Sequence, residues 1–285
     1  MSQAAVAYDP PPSDLLSDKN FKRLAELIHG YSGIKMPQTK RTMLEGRLRR
    51  RMRVLALARL EDYCRYLFEQ DGIESELVHL MDAVTTNKTD FFREPVHFHF
   101  LQTQVLPNLA QTRRREIKAW SAACSIGAEP YTLAMVLEEA RSAGLRMDYS
   151  ILCTDLCTEV LNQAVAGVYH APMIEPVDEA LRRRYVLRAK DPHSDEVRIA
   201  PHLRSKLRFA RLNLMDERYP VDGDMDMIFC RNILIYFDKQ TQGAVLERLC
   251  RHLRPGGYLF IGHSESIIGF NLPVTQVANT IFRRA

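Results

Sequence analysis

Residues 120–135 read WSAACSIGAEPYTLAM: an apolar strand pattern, a turn that contains Gly127, and then an amphipathic helix. Small side chains at Ser121, Ala122, Ala123, Ser125 and Gly127 let a ligand lie against the backbone. The first helical turn adds N–H groups that lack an intrahelical partner. That layout suits a nucleotide-type ligand. Glu129 sits in that first turn, where a carboxylate repels a pyrophosphate but suits a ligand with an amino group and a sulfonium charge, as in S-adenosylmethionine. The G-x-G-x-x-G fingerprint of dinucleotide-binding turns is missing, since Gly127 is the sole glycine between Gly72 and Gly144. Taken by itself, the turn is equally an ordinary strand-to-helix connection.

Such a turn needs a sheet to hold it. After the segment TTNKTDFFRE the pattern alternates between strands and helices, predicting strands at 117–123, 149–154, 207–212, 225–229 and 258–261 and helices at 129–141, 158–166 and 238–253. Pro255, Gly256 and Gly257 stop the last helix. Alternation of this kind implies a mostly parallel, doubly wound α/β sheet, in which ligands bind beyond the carboxyl ends of the strands. The residues at those ends form one set: Ala123 and Glu129; Asp155; Asn213 and Leu214; Arg231, Asn232 and Tyr236; His263, Ser264 and Glu265. Asp155 can accept both hydroxyls of a ribose, and it can equally cap the helix that begins near Thr158. Asn213 and Asn232 can each donate and accept, which fits an adenine edge or a carboxylate, although a lone asparagine is more often a turn residue.

From 168 to 205 the βα rhythm lapses. YVLR and EVRIA flank the charged turn DPHSDE, which predicts a hairpin-containing insertion whose exposed strand edge could accept an extended peptide. Ahead of the sheet, residues 18–86 are helical throughout, and residues 1–17, with Pro10, Pro11 and Pro12, read as a flexible lead-in. Phe21, Leu24, Leu27, Ile28 and Tyr31 make one apolar stripe after a cap at Asp18, and Gly33 and Pro37 end that helix. Two further helices are expected at 60–69 and 73–84. Between them and the first lies GRLRRRMR, with Arg47, Arg50 and Arg53 at three-residue steps and Leu44, Leu48, Met52 and Leu55 on the other side. Five arginines this close repel one another, so the stripe is either a solvated face or a landing place for an acidic partner.

Composition sets outer bounds. The chain has 285 residues, room for about two domains, with 46% hydrophobic and 26% charged residues and a net charge of +4. No apolar run approaches the ~20 residues that cross a bilayer. The start MSQAAVAYDPPPSD has neither a basic nor an apolar leader region, so a cytoplasmic protein without membrane insertion is expected. Six scattered cysteines read as reduced and buried. His97 and His99 beside Glu94 could ligate a metal, but alternating FHF on a core segment explains them more simply, and no metal is expected.

The segments TTNKTDFFRE, WSAACSIGAEPYTLAM, CTDL, FCRNILIYFD and GHSES, in this order and spacing, closely resemble the bacterial chemotaxis receptor methyltransferases of the CheR type, over nearly the whole chain. The resemblance implies a doubly wound S-adenosylmethionine-dependent methyltransferase sheet, a small all-helical N-terminal domain over 18–86, and a methyltransferase domain over 87–285. That domain would have a linker at 87–95 and an inserted antiparallel β-subdomain near 168–205. It implies methyl transfer from S-adenosylmethionine, which leaves as S-adenosylhomocysteine, to glutamate carboxylates on the cytoplasmic helical region of methyl-accepting chemoreceptors. Asn87, Thr89 and Arg93 would close over the cofactor, with Ala123, Glu129 and Asp155 beneath it. Asn213, Leu214, Arg231 and Asn232 would line its adenine and methionine ends. Arg93 and Tyr236 would lie nearest the reacting methyl, and Arg47, Arg50 and Arg53 would guide the receptor. The chain departs from the family pattern at Ile126 and Ala128. An RNA methyltransferase would share the sheet, but no aromatic stacking platform or RNA-binding motif is present, so no nucleic-acid partner is expected. A binding module that kept the pocket without catalysis is the other alternative, and the presence of both Arg93 and Tyr236 speaks against it.

Overall fold

The apolar stripe at Phe21 becomes α1 (Asp18–Ser32), which starts at Ser17 rather than Asp18: the Ser17 hydroxyl accepts from the Asn20 N–H. Gly33, with φ 73°, ends it by donating its N–H to the His29 carbonyl. The computed structural model describes residues 14–112 and 114–285, and the chain forms two units, Met1–Thr86 and Asn87–Ala285. Of the lead-in expected over 1–17, residues 1–13 lie outside the described residues. The last four are fastened rather than loose: the Asp14 carboxylate accepts from the Leu60 N–H, and Leu16 is buried with its N–H on Glu45.

In the first unit α1 is followed by α2 (Arg41–Val54), α3 (Leu60–Glu69) and α4 (Ile73–Val84). Leu24, Ile28, Leu44, Leu48, Met52, Tyr63, Leu67, Leu80 and Met81 are wholly buried between them. The arginine stripe of α2 is divided by this packing. Arg47 donates to the Val84 and Thr85 carbonyls that close α4, Arg49 donates to the Asp14 carbonyl, and Arg51 makes two 2.7 Å bonds to Glu76. Arg50 and Arg53 remain exposed. Three of the five arginines are thus engaged inside the unit, one of them against an acid, and Arg47 has a structural task that its spacing did not reveal. Glu76 is 1% exposed and also accepts from the Tyr63 hydroxyl at 3.2 Å.

The second unit opens with α5 (Pro95–Phe100), a π-helical turn Leu101–Val105 and α6 (Leu106–Ala110). The core segment that carries FHF is helical, with Pro95 at the first helical position. The sheet then alternates with helices: β1 (Glu116–Ala122), α7 (Ala128–Ser142), β2 (Asp148–Asp155) and α8 (Thr158–Ala166). A small sheet follows, built from β3 (Val168–His170), β4 (Val186–Arg188) and β5 (Glu196–Ile199), with α9 (Glu179–Tyr185) between β3 and β4. Its order, β3-β5-β4, is antiparallel throughout. The hairpin read from YVLR and EVRIA is β4 and β5, and β3 joins as a third strand too short to have a legible period. The main sheet resumes with α10 (Pro201–Arg204), β6 (Leu207–Arg211), β7 (Met225–Cys230), α11 (Lys239–His252), β8 (Leu253–Ile261), β9 (Val274–Ala278) and β10 (Ile281–Arg284).

The seven strands run in the order β6-β2-β1-β7-β8-β10-β9. The first five are parallel, and β10 lies antiparallel to both β8 and β9. Strand β8 begins five residues before its predicted start, because Pro255, Gly256 and Gly257 make a bulge within it: Met225 faces Leu253, whereas Met227 faces Tyr258. Alternating residues fill two cores, one holding Ile117, Ala119 and Phe229, the other Trp120, Ala122 and Ile228. Phe229 and Phe260 stack at 4.2 Å, and the Trp120 indole donates to the Thr154 hydroxyl at 2.9 Å. All six cysteines are buried thiols. Among the described residues, no helix is long and apolar enough to cross a membrane.

Register brings the strand ends level. Ala122 pairs with Thr154 and with Cys230, Cys230 pairs with Ile261, and Asp155 pairs with Arg211. The next residue of each chain therefore emerges on one edge, where β1 has β2 on one side and β7 on the other.

Removal of one partner from a buried ion pair leaves the other charge stranded, so Glu76→Ala is expected to destabilise the helical unit by roughly 3 kcal/mol. Urea denaturation followed by circular dichroism measures this; a midpoint equal to that of the parent would count against the pair as a structural element.

Candidate active site

One rung of the parallel ladder continues past β1, where the Cys124 N–H meets the Thr154 carbonyl at 2.9 Å. The backbone then turns through left-handed φ values at alternate residues: Ala123 at 62°, Ser125 at 52° and Gly127 at 93°. Gly127 is required twice over. A Cβ there would stand 3.0 Å from both the Ala164 methyl and the Tyr169 hydroxyl, at a φ that side chains resist. Asp155, 8% exposed, secures the turn: its Oδ2 accepts from the Ser125 N–H at 2.8 Å and its Oδ1 from the Cys157 N–H at 2.9 Å. The residue that caps α8 is Cys157, so Asp155 is not its N-cap but a stitch between the turns after β1 and β2. The Ser125 hydroxyl donates to the Asn87 carbonyl at 2.8 Å, and the Asn87 amide reaches Cys157 Sγ at 3.6 Å. The linker is thereby pinned to the same turn, and Thr89 lies half-buried two residues further on.

Beside this turn runs a buried ionic network. Ser121 Oγ donates to Glu129 Oε1 at 2.6 Å, and Arg231 Nη1 to Glu129 Oε2 at 3.2 Å. Arg231 Nε and Nη2 reach Glu94 Oε2 at 3.3 and 3.0 Å, and Nη2 also donates to the Arg93 carbonyl. Glu94 Oε1 accepts from the Asn232 amide at 3.1 Å and the His263 N–H at 3.2 Å. The side chains of Arg231, Glu94 and Glu129 are only 2%, 12% and 13% exposed. One guanidinium faces two carboxylates here, with the Arg93 charge also acting on Glu129, and the second acid is available to a cationic ligand. Burial pushes the Glu94 carboxyl up, but donation from Asn232 and the charge of Arg231 outweigh it and hold it at about 2. At Glu129 burial prevails over Arg231 and Ser121, and the carboxyl lies above its ordinary value.

A second carboxylate works through backbone. Glu265 accepts from the N–H groups of Leu234 at 2.7 Å, Asn232 at 3.0 Å and Gly262 at 2.6 Å, tying the loop after β7 to the end of β8. A Cβ on Gly262 would fall 2.4 Å from the Asn232 amide nitrogen, so glycine alone lets Asn232, itself at φ 59°, lie there. Beyond β6, the Leu212 N–H meets the Asp155 carbonyl at 3.0 Å, Asn213 accepts from the Met215 N–H, and the Leu214 carbonyl accepts from Tyr219 and Arg248. Tyr236 is half-buried on the turn Leu234–Tyr236, and Arg93, also half-buried, donates from Nη1 to the Lys88 carbonyl at 3.0 Å.

Of the residues singled out in the sequence, Glu129, Arg231, Asn232 and the Arg93 backbone fall in the ionic network. Asn87, Ala123 and Asp155 fall at the turn, with Asn213 and Leu214 joined to it through Leu212. Arg47, Arg50 and Arg53 belong to the other unit. In the sequence Glu94 stands out only as a metal candidate, and Glu265 only by its place after a strand. The signal for both was an acidic residue inside a segment otherwise marked by arginine or glycine, FFRE and GHSE. Glu94, His97 and His263 each bring an atom of metal-ligand type within 4.8 Å of the others, and His99 is exposed. Both Glu94 oxygens already accept hydrogen bonds, with a guanidinium against the oxygen nearest both histidines, so this donor set favours ion pairing over a cation.

Sheet order, small-residue turn and acidic strand end together define an S-adenosylmethionine-dependent methyltransferase. Residues 87–282 match the CheR methyltransferase, SAM binding domain, and residues 19–85 match the CheR methyltransferase, all-alpha domain. The chain belongs to the CheR methyltransferase family. It is 39% identical over 253 residues to the chemotaxis protein methyltransferase of Salmonella typhimurium, covering 88% of this chain and 85% of that one. It is 35% identical over 274 residues to the protein of that name from Borreliella burgdorferi, with 93% and 95% covered. For the Escherichia coli protein the figures are 37% over 267 residues, with 94% and 91% covered.

Gly127→Ala is expected to cost about 2 kcal/mol of stability through its left-handed φ and the close contacts, and to weaken S-adenosylhomocysteine binding as well. Denaturation and calorimetry test both; unchanged affinity would mean that the turn does not contact the ligand.

Proposed function

We propose that this protein transfers the methyl group of S-adenosylmethionine to glutamate side chains on the cytoplasmic helical region of methyl-accepting chemoreceptors. The supporting observation is the Glu94–Arg231–Glu129 network, two carboxylates on one guanidinium buried at the edge where strand ends converge, in a chain of the CheR family. Asn87, Thr89, Ala123, Glu129, Asp155, Asn213, Leu214, Arg231 and Asn232 hold the cofactor in this reading, together with Arg93. Glu129 answers the cationic end, and the polar groups at the ends of β2 and β6 answer the nucleoside. Bound S-adenosylmethionine supplies an electrophilic methyl.

A glutamate carboxylate has an unperturbed pKa near ~4.3 and is ionised at neutral pH, so transfer needs no general base. Positioning is the remaining task. Arg93 holds the incoming carboxylate by charge, and the Tyr236 hydroxyl orients one of its oxygens, so that the other faces the methyl. Sulfonium and carboxylate charges cancel as the ester forms, and a water-poor site favours that cancellation. Arg50 and Arg53, exposed on α2, steer an acidic receptor helix toward the protein, with Arg47 contributing while it anchors the end of α4. The small sheet offers β4 as an outer strand, with Leu187 about half exposed, for docking of an extended peptide. These tasks fit a cytoplasmic enzyme.

Tritium transfer from labelled S-adenosylmethionine, offered receptor membranes, RNA or neither, should give base-labile methyl ester with receptor alone. In that assay Arg93→Ala should lower turnover far more than cofactor affinity, whereas Asp155→Ala should abolish S-adenosylhomocysteine binding first. Equal losses in the first variant, or unaltered calorimetry in the second, would refute the assignment concerned. Reversal of charge in Arg50→Glu with Arg53→Glu should slow receptor methylation several-fold at low ionic strength, and added salt should narrow the gap as screening sets in. A rate untouched at low salt removes α2 from receptor recognition.

A further inference from the structure

Arg93 stands between two strained neighbours. Phe92 and Glu94 both adopt left-handed φ, 53° and 56°, a conformation costly for residues with side chains and retained only where surrounding contacts enforce it. The Phe92 N–H is held by the Thr132 hydroxyl at 3.1 Å, and the contacts on the other side of Arg93 converge on Glu94. One of its oxygens takes the Asn232 amide and the His263 N–H, and the other takes two nitrogens of Arg231, whose Nη2 also grips the Arg93 carbonyl. Arg231 has a further tie to Glu129, so its guanidinium is held from two sides and cannot follow Arg93 if the turn drifts.

The environment reserves Glu94 for this purpose. His97 is wholly buried, and its Nε2 lies 2.8 Å from Thr280 Oγ1, which itself donates to the Asn279 carbonyl at 2.7 Å. Nδ1 lies 3.6 Å from Glu94 Oε2, beyond hydrogen-bond reach. The Nδ1 atom has no hydrogen-bond partner. Burial and the nearby Arg231 keep the imidazole neutral, its pKa pushed down to about 3, so His97 does not draw the carboxylate away from the guanidinium.

We infer that Glu94 is a positioning residue of the methyl transfer, one that fixes the Arg93 side chain by clamping Arg231 against the Arg93 backbone. This rests on the reading of Arg93 as the group that orients the receptor carboxylate. A merely structural glutamate would lower stability, or act equally with and without the Arg93 side chain. A positioning one loses its effect when that side chain is gone.

The test is a double-mutant cycle on the full chain, with kcat read at saturating S-adenosylmethionine and receptor membranes as substrate, and melting temperature recorded alongside. Arg93→Ala should reduce kcat. Glu94→Gln should reduce it about 10- to 100-fold, the scale of a small misplacement of a reacting group, and the double variant should be no slower than Arg93→Ala within about twofold. Should Glu94→Gln fail to fold, Glu94→Asp, which keeps the charge but withdraws it from Arg231, enters the same cycle. An unaffected kcat in the Glu94 variant, or multiplied losses in the double variant while Arg93→Ala is slow, overturns the inference and leaves the role of Arg93 standing. A fully active Arg93→Ala overturns that role and the inference with it.

Discussion

The second unit depends on a guanidinium buried between two carboxylates. Arg231 leaves the end of β7, Glu129 comes from the first turn of α7 and Glu94 from the start of α5, so a single side chain joins three elements far apart in sequence. Desolvation of three charges is costly, and it is tolerated because nearly every polar atom finds a partner: Ser121 on Glu129, Asn232 and His263 on Glu94, the Arg93 carbonyl on Arg231. Two carboxylates sharing one guanidinium are what this arrangement leaves at the strand ends.

A parallel sheet makes such convergence available. Because β1, β2, β7 and β8 end level, the turn after each strand begins within reach of the next, and side chains only two or three residues past the ends can cross-link the turns. Asp155 links the first pair and Glu265 the last, each by accepting backbone N–H groups. Both acids thus act on backbone, one on either side of the ionic network. Ala123, Ser125, Gly127 and Asn232, all at left-handed φ, mark where the backbone bends to meet them.

Much of this was legible in the sequence, and the limits have physical causes. Helices α3, α4 and α8 carry full amphipathic periods, and their predicted spans coincide with the observed ones. Strand ends were foreseen to within one residue at β1, β2, β6 and β7, so the cluster of residues beyond them was too. Hidden were features set by tertiary contact: the bulge that starts β8 at Leu253 and the three-residue β3. Side-chain tasks were hidden for the same reason. Spacing put Arg47 on the basic face of α2, but only the folded chain brings the carbonyls of Val84 and Thr85 beneath it. Glu94 looked like one corner of a histidine cluster until Arg231, 137 residues away, arrived beside it.

Cys153 and Cys230 lie at the ends of β2 and β7, and Cys124 lies in the turn just past β1, each all but inaccessible and each with its thiol pushed well above the ordinary range by burial. A sulfur so situated is neither ionised nor reachable by an alkylating reagent while the strands stay closed. Labelling of Cys153 and Cys230 would therefore clock the opening of the sheet, and labelling of Cys124 the opening of the turn, and a ligand that binds only the closed form would slow both.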